Sequence, residues 1–385
     1  MVKKILSQVE RYSEIEQEVI NARKYGVDHS AQKGVWSQAV KQLHPSKMEL
    51  KVADIVKASE SADSLRLVRV NGCLPPFQAG QYIHLAADIN GVRIGRPYSI
   101  SSAPNQTAYY EITIKRKANA FVSDYLLNQI KIGDILESSG PSGHFYYNPI
   151  YHGKNLVFIA GGSGITPFMS MVREVTEKGL DRNIHLIYGC SAPNDVPFLD
   201  ELQSRSERFS NFKFSLVISD PAEGWNGLSG FIDAELLKKL GIDTDHCMFY
   251  ICGPTQMYNF CIPELKKLNV PQKRIRQEVV AQPENISQDP AWPSGVSPTT
   301  IFTMQLNDGS SIPARAGESL LVSLERAGIF QKNLCRAGEC SLCRVKLTEG
   351  KVFQPSTTLV RESDRKSGYI HSCASYPLSD LAIIR

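Results

Sequence analysis

The sequence predicts a multidomain chain. A helical N-terminal extension precedes an antiparallel β-barrel, an α/β doubly wound domain and a small C-terminal α+β domain of β-grasp type. Three observations predict this. Short strands broken by proline, glycine and polar turns recur from Leu50 to about Tyr147. From Gly153 onward apolar strands alternate with amphipathic helices, and the first strand–helix turn reads Gly161-Gly162-Ser163-Gly164. Towards the C-terminus Cys335, Cys340 and Cys343 are separated by four and then two residues, and Cys373 follows after a long gap.

Residues 1–47 form the extension. Val9, Tyr12, Ile15 and Val19 recur at helical spacing, and a second short helix is expected over Trp36–Leu43, ending before Pro45. Residues 48–152 form the barrel. Lys51–Val56 pairs with Ser64–Val70 as a hairpin, Gln81–Ala86 and Tyr109–Lys115 are further strands, and Gly140-Pro141-Ser142-Gly143 is a closing turn. Within it lies Arg96-Pro97-Tyr98-Ser99. Alternate side chains of a strand share a face, so Arg96 and Tyr98 project together, a cation beside an aromatic ring. The pair suits a phosphate and a flat ring, although the same pair also occurs in ordinary barrel walls. A helix starting near Phe121 offers free N–H groups beside Ser123.

Residues 153–282 form the doubly wound domain. Leu156–Ala160 is an apolar run of the kind a buried parallel strand requires, and Ile184–Tyr188, Lys213–Ile218 and Met248–Ile251 continue the series. Thr166 is placed to cap the helix Phe168–Lys178, with Pro167 in its first turn. A glycine turn between strand and helix is where a pyrophosphate binds in such folds; a plain connection is the alternative. The last strand runs into Cys252-Gly253-Pro254. A proline-rich linker, 283–298, leads to residues 299–385, where Ile301–Leu306 and Ser310–Ala314 form a hairpin around Asn307-Asp308-Gly309 and Glu318–Ala327 is a helix stopped by Gly328.

The cysteine spacing is the plant-type pattern in which four thiolates hold a [2Fe–2S] cluster. Zinc prefers two short cysteine pairs or a Cys/His mixture, and the nearby histidine, His371, fits that poorly. Cys335, Cys340, Cys343 and Cys373 are therefore the expected metal ligands. The other five cysteines, at 73, 190, 247, 252 and 261, show no paired framework, and a thiol-rich, oxygen-sensitive site implies a reducing cytoplasm. The first ten residues lack the apolar core of a signal peptide, and no apolar run reaches the ~20 residues of a membrane span. A net charge of +4 is too small to argue for a nucleic-acid partner.

The Arg-Pro-Tyr-Ser strand, the Ser123 helix start, the Gly-Pro-Ser-Gly turn, Gly161–Pro167 and Cys252-Gly253-Pro254 together resemble the ferredoxin–NADP reductase superfamily. With a ferredoxin module at the C-terminus, residues 48–385 resemble its phthalate dioxygenase reductase family. The resemblance implies FAD (FMN as the alternative), NADH and a [2Fe–2S] cluster. It implies Arg96 on the flavin phosphate, Tyr98 along the isoalloxazine, Ser99 near the reactive nitrogen and Ser123 near the pyrophosphate, with Pro97, Ile112, Lys115 and Val122 completing the flavin set. Gly161, Gly162, Gly164, Thr166 and Pro167 would hold the nicotinamide nucleotide, and Cys252, Gly253 and Pro254 would lie beside its ring. Ser99, Cys252 and Glu278 are the residues implied at the reacting centre, Cys252 shaping the pocket. Asn119-Ala120 and Val279-Val280 stand where relatives often carry glycines and an aromatic. The implied activity is an NADH-dependent reductase that passes electrons to a separate protein, an oxygenase or a hydroxylamine-reductase-like component. An electron-relay subunit assembled through residues 1–47 is the alternative. Residues 299–385 carry eleven Lys/Arg against eight Asp/Glu, 11 − 8 = +3, so an acidic docking partner is expected, facing Lys332, Arg336, Arg344 and Lys346.

Overall fold

A computed structural model describes residues 12–25, 40–117, 120–221, 223–278 and 285–385. The chain divides into two units, 1–46 and 47–385. In the first, α1 (Tyr12–Tyr25) covers the expected helix from Tyr12 on; Val9 lies outside the described residues. Of the expected helix Trp36–Leu43, residues 40–43 are helical and 36–39 lie outside the described residues, as do Asn119 and Val279-Val280.

The second unit opens with six strands, β1 (Met48–Ser59), β2 (Ala62–Arg69), β3 (Tyr82–Ile89), β4 (Val92–Ser99), β5 (Tyr110–Lys115) and β6 (Ile135–Ser138). They pair antiparallel in the order β4-β3-β6-β1-β2-β5, and a bridge from Ile100, just past β4, to Ile112 on β5 joins the two edges into a barrel. Strict alternation drives it: Met48, Leu50 and Val52 point inward while Glu49 and Lys51 face water. The helix α2 (Phe121–Asn128) buries Val122 and Leu126 in the same core.

Next comes a parallel sheet. Its elements are β7 (Asn155–Gly161), α3 (Thr166–Lys178), β8 (Asn183–Cys190), α4 (Leu199–Arg208), β9 (Phe212–Ile218), β10 (Leu228–Ser229), α5 (Ala234–Lys239), β11 (Met248–Cys252), α6 (Thr255–Lys267) and β12 (Ile275–Gln277). The order is β10-β9-β8-β7-β11-β12, so the direction of winding reverses between β7 and β11. Ligands of doubly wound folds bind beyond the strand ends at such a reversal. β7 from Leu156 on and β11 along its whole length are buried on both faces, as central parallel strands require.

The C-terminal domain contains β13 (Ile301–Leu306), β14 (Ser311–Arg315), α7 (Leu320–Arg326), β15 (Arg344–Glu349), β16 (Val352–Phe353), α8 (Glu362–Lys366), β17 (Tyr369–His371), β18 (Tyr376–Pro377) and β19 (Leu381–Ile384). Five strands form a mixed sheet, β14-β13-β19-β15-β17, with α7 packed on it through Leu320 and Leu324. The segment before it is more than a tether. Ile286 is fully buried, and Trp292 packs edge-on against Phe353 beside Tyr376.

Polar seams join the barrel to the parallel-sheet domain. Arg173 on α3 donates to Glu111 on β5 at 2.6 Å, to the Ser101 carbonyl at 3.0 Å and, with two nitrogens, to Glu201 on α4 at 2.6 and 2.8 Å. Asp195, after β8, accepts from Ser59 and Ser61 in the β1–β2 turn and from Lys115 at 2.9 Å. These bonds hold its carboxyl well below the usual range, against the opposing effect of burial.

Candidate functional site

Three groups of residues converge where barrel, parallel sheet and C-terminal domain meet. The first is on β4. Its register with β3 sets Ser99 opposite Tyr82, Tyr98 opposite Ile83, Pro97 opposite His84 and Arg96 opposite Leu85. Arg96 is half-buried and donates to the Gly95 carbonyl at 2.8 Å. Burial and the neighbouring Arg336 guanidinium lower its pKa to about 10 although Glu325 opposes them. Two guanidiniums here share the one carboxylate of Glu325, so the pocket is short of an anion. The Tyr98 hydroxyl is buried without a hydrogen-bond partner among the described residues, with Ser123 close by. An orphaned hydroxyl beside an under-compensated cation fits a phosphate-bearing planar ligand.

Not every residue of the expected flavin set gathers there. Ile112 and Val122 belong to the barrel core, and Lys115 is committed to Asp195.

The second group lies at the winding reversal. β7 and β11 run side by side in register, Ala160 beside Cys252, so Gly161–Gly164 meets Cys252-Gly253-Pro254. A Cβ on Gly164 would strike the Cys252 carbonyl, which is why glycine stands there. Thr166 departs from its expected capping role. It is the first residue of α3, and its hydroxyl donates back to the Ser163 carbonyl at 2.8 Å. The first N–H groups of α3 therefore have no side-chain cap and are open to an anion. Cys252 is buried, which pushes its thiol pKa well up and disfavours a nucleophilic thiolate. Gly253 N–H donates to the Tyr258 hydroxyl at 3.1 Å, and that hydroxyl in turn donates to the Glu278 carbonyl. The Glu278 carboxyl is pushed up to about 8, by burial first and then by the Glu339 carboxylate of the cysteine loop.

The third group is that loop. Cys335, Cys343 and Cys373 are buried and Cys340 is half-buried. The thiols meet in two pairs: Cys335 shares a hydrogen bond with Cys340, and Cys343 with Cys373. The Ala337 and Cys340 N–H groups both donate to the Cys335 sulfur at 3.4 Å. The Cys340 thiol first, and then these N–H groups, lower the Cys335 thiol below the usual cysteine range. Arg336, Gly338 and Ser341 adopt φ of 54°, 81° and 58°, left-handed values that turn loop N–H groups inward. At Gly338 a Cβ would press within 3.0 Å of Ala374 and 3.1 Å of Thr358. Two thiol pairs for two irons, with donors aimed at sulfur, fit a [2Fe–2S] cluster. Among the described residues no three His, Cys, Asp or Glu side chains close on a single-ion position. His371 is committed through Nδ1 to the Gly338 carbonyl at 2.8 Å.

The loop faces the barrel. Tyr82 packs against Cys335, Ala337 and Cys340, and His84 Nε2 meets Asn333 Oδ1 at 3.0 Å. Arg336 corrects an expectation. It is turned inward onto Glu325 with a tenth of its side chain exposed, so it leaves the docking face. Tyr82, Glu325 and Arg173 carry no local motif. Only contacts distant in sequence reveal them.

Known proteins match the same three regions. The oxidoreductase FAD-binding domain family matches residues 48–147, the oxidoreductase NAD-binding domain family residues 158–262, and the 2Fe-2S iron-sulfur cluster binding domain family residues 305–378. The NADH oxidoreductase HCR of Escherichia coli is 30% identical over 311 residues, 80% of this chain and 89% of that protein. The glycine betaine monooxygenase reductase subunit of Chromohalobacter salexigens is 28% identical over 321 residues, 80% of this chain and 87% of that one. Among solved structures, phthalate dioxygenase reductase, described as a modular structure for electron transfer from pyridine nucleotides to [2Fe–2S], superposes with a TM-score of 0.65 at 26% identity. That match covers 88% of this chain and 98% of the other.

Proposed function

The chain belongs to the phthalate dioxygenase reductase-like family of the ferredoxin–NADP reductase superfamily, and from that premise we infer how its residues divide the work of an NADH-dependent iron–sulfur flavoprotein reductase. The overall reaction balances as NADH plus two oxidised acceptors giving NAD⁺, a proton and two reduced acceptors. When bound, FAD takes the hydride and the [2Fe–2S] cluster carries the electrons singly, which matches a two-electron donor to a one-electron acceptor. Arg96 binds the flavin phosphate, Tyr98 and Ser99 line its ring, and Ser123 approaches the pyrophosphate. Gly161, Gly162, Gly164, Thr166 and Pro167 seat the nucleotide at the α3 N-terminus. Cys252, Gly253, Pro254 and Glu278 border the nicotinamide. Cys335, Cys340, Cys343 and Cys373 hold the cluster. The observation that carries this reading is the packing of Tyr82 on the Cys335–Cys340 pair, which sets the cluster loop directly on the barrel. Arg96→Ala tests it. A charged hydrogen bond to phosphate contributes about 1.5–3 kcal/mol, so the variant should lose flavin during purification. Recovery of fully flavin-loaded Arg96→Ala would remove Arg96 from the site.

The nucleotide preference follows from charge. Beyond β8 and β9 the chain turns at Ser191 and Ser219-Asp220, tied by Asp220 N–H to the Ser191 carbonyl at 3.0 Å. Asp220 is exposed and would repel a ribose phosphate. Arg205 is held by Glu201, Glu177 and Thr176 at 2.8, 2.7 and 2.6 Å, and Arg208 stacks on Phe209. NADH should therefore exceed NADPH by at least about tenfold in kcat/KM, which needs only ~1.4 kcal/mol. Steady-state kinetics with both nucleotides and ferricyanide check this; equal values would place the ribose elsewhere.

The acceptor is a separate redox protein, an oxygenase or a hydroxylamine-reductase-like component; relatives are named as glycine betaine monooxygenase reductase subunits and as the NADH oxidoreductase HCR. The relay-subunit alternative is not favoured, since these relatives are named as reductases. An acidic partner surface suits the exposed Lys332 and Lys346 and the apolar Leu342 and Leu359 near the loop. Arg344 contributes less, being paired with Asp364 at 2.7 Å. Transfer to that partner should slow as ionic strength rises; a flat or rising rate would count against an acidic face.

A further inference from the structure

Glu325, the carboxylate shared by Arg96 and Arg336, is where two modules meet. It sits on α7, whose Leu320, Leu321 and Leu324 are buried within the ferredoxin module, and only a twentieth of its side chain is exposed. Arg336, the residue after Cys335, engages it with both terminal nitrogens, Nη2 at 3.0 Å from Oε2 and Nη1 against Oε1. From the barrel, Arg96 Nη1 lies 3.7 Å from the same Oε2. The carboxylate thus ties the cluster loop, immediately beside its first cysteine, to the strand assigned to the flavin phosphate. The His84–Asn333 contact runs parallel to it across the same seam.

Burying a carboxylate between modules is a poor way to gain stability, because its desolvation offsets most of the attraction, and an apolar pair of similar volume would hold the seam as well. A bidentate guanidinium–carboxylate contact does supply a fixed geometry. We propose that Glu325 is a positioning residue: acting through Arg336 and Arg96, it fixes the cluster loop against the flavin strand, and electron transfer from flavin to cluster depends on it. This rests on the assignment of the cluster to the four cysteines, which the visible absorbance of the unmodified protein tests separately.

Glu325→Gln keeps the shape and removes the charge. In the flavin- and cluster-loaded full chain, reduction of the flavin by NADH and the cluster absorbance should be unchanged. The cluster potential should also be unchanged. One-electron transfer from flavin to cluster, followed by anaerobic rapid mixing, should slow by about tenfold or more, as expected when a reacting pair loses its fixed geometry. Amide hydrogen exchange in β4 and in residues 320–337 should quicken, which a residue that merely tunes the cluster would not cause. Asn333→Ala should slow the same step by a smaller factor. An unchanged transfer rate in folded Glu325→Gln, or in Asn333→Ala should the first variant not fold, overturns the proposal. So does a slow rate accounted for by a shifted cluster potential with hydrogen exchange unaltered.

Discussion

Cys343→Ser is expected to abolish the [2Fe–2S] absorbance and all delivery of electrons to the partner protein, while NADH continues to reduce the flavin at its normal rate. The expectation follows from where the thiols lie. Cys343 and Cys373 pair inside the ferredoxin module against Leu321 and Ala374. Serine offers a harder, more basic oxygen in place of a thiolate, and a cluster with four protein ligands does not tolerate the exchange well. The flavin barrel and the nucleotide domain keep their own cores and their own seams. Absorbance spectra and ferricyanide reduction separate the two outcomes. A folded variant that also lost flavin reduction would show that the modules do not work as independent stages.

Arg173→Met should be the most damaging substitution outside the cofactor sites. Arg173 is the hub of the seam between barrel and nucleotide domain, and its guanidinium offsets the charge of Glu111, which is 3% exposed. Burial alone would depress the Arg173 pKa, yet Glu201 and Glu111 raise it above the ordinary arginine value, so the network favours its charged form. Methionine fills the space and leaves Glu111 with the half-exposed Arg66 at 3.3 Å and the Ser101 hydroxyl at 2.9 Å. Breaking one side of a buried pair typically costs about 3–5 kcal/mol. Urea unfolding of the flavin-loaded protein should show a loss of that order. A loss below about 1 kcal/mol would mean that Arg66 alone compensates Glu111 and that Arg173 is not the hub of the seam.

The legibility of these features in the sequence depends on their range. The cluster loop could be read because three of its four ligands fall within nine residues, Cys335 to Cys343. The winding reversal could be read too, since apolar strands announce themselves and glycines mark where two backbones must touch, as Gly164 does against Cys252. Thr166 misled because a threonine before a helix usually accepts from the first turn, whereas here the tight turn at Gly162–Ile165 leaves the Ser163 carbonyl as its partner. Lys115, which the resemblance places in the flavin set, meets its counter-charge in Asp195 from eighty residues away, 195 − 115 = 80. Arg336, expected on the docking face because it flanks the cysteine loop, is drawn inward by Glu325 on α7. Tyr82 reads as an ordinary strand residue until the cysteine loop is folded against it. Pairings across module boundaries leave no periodicity in the chain, and they decide which charges face water.

One chain holds a two-electron stage and a one-electron stage in series. Anaerobic titration of the fully loaded protein with NADH tests it most directly, followed at the flavin and cluster absorption bands together. Two electrons for the flavin and one for the cluster predict that full bleaching of both takes about one and a half equivalents of NADH per chain. Bleaching of the flavin complete at one equivalent, with the cluster band unmoved by any further addition, would contradict the account.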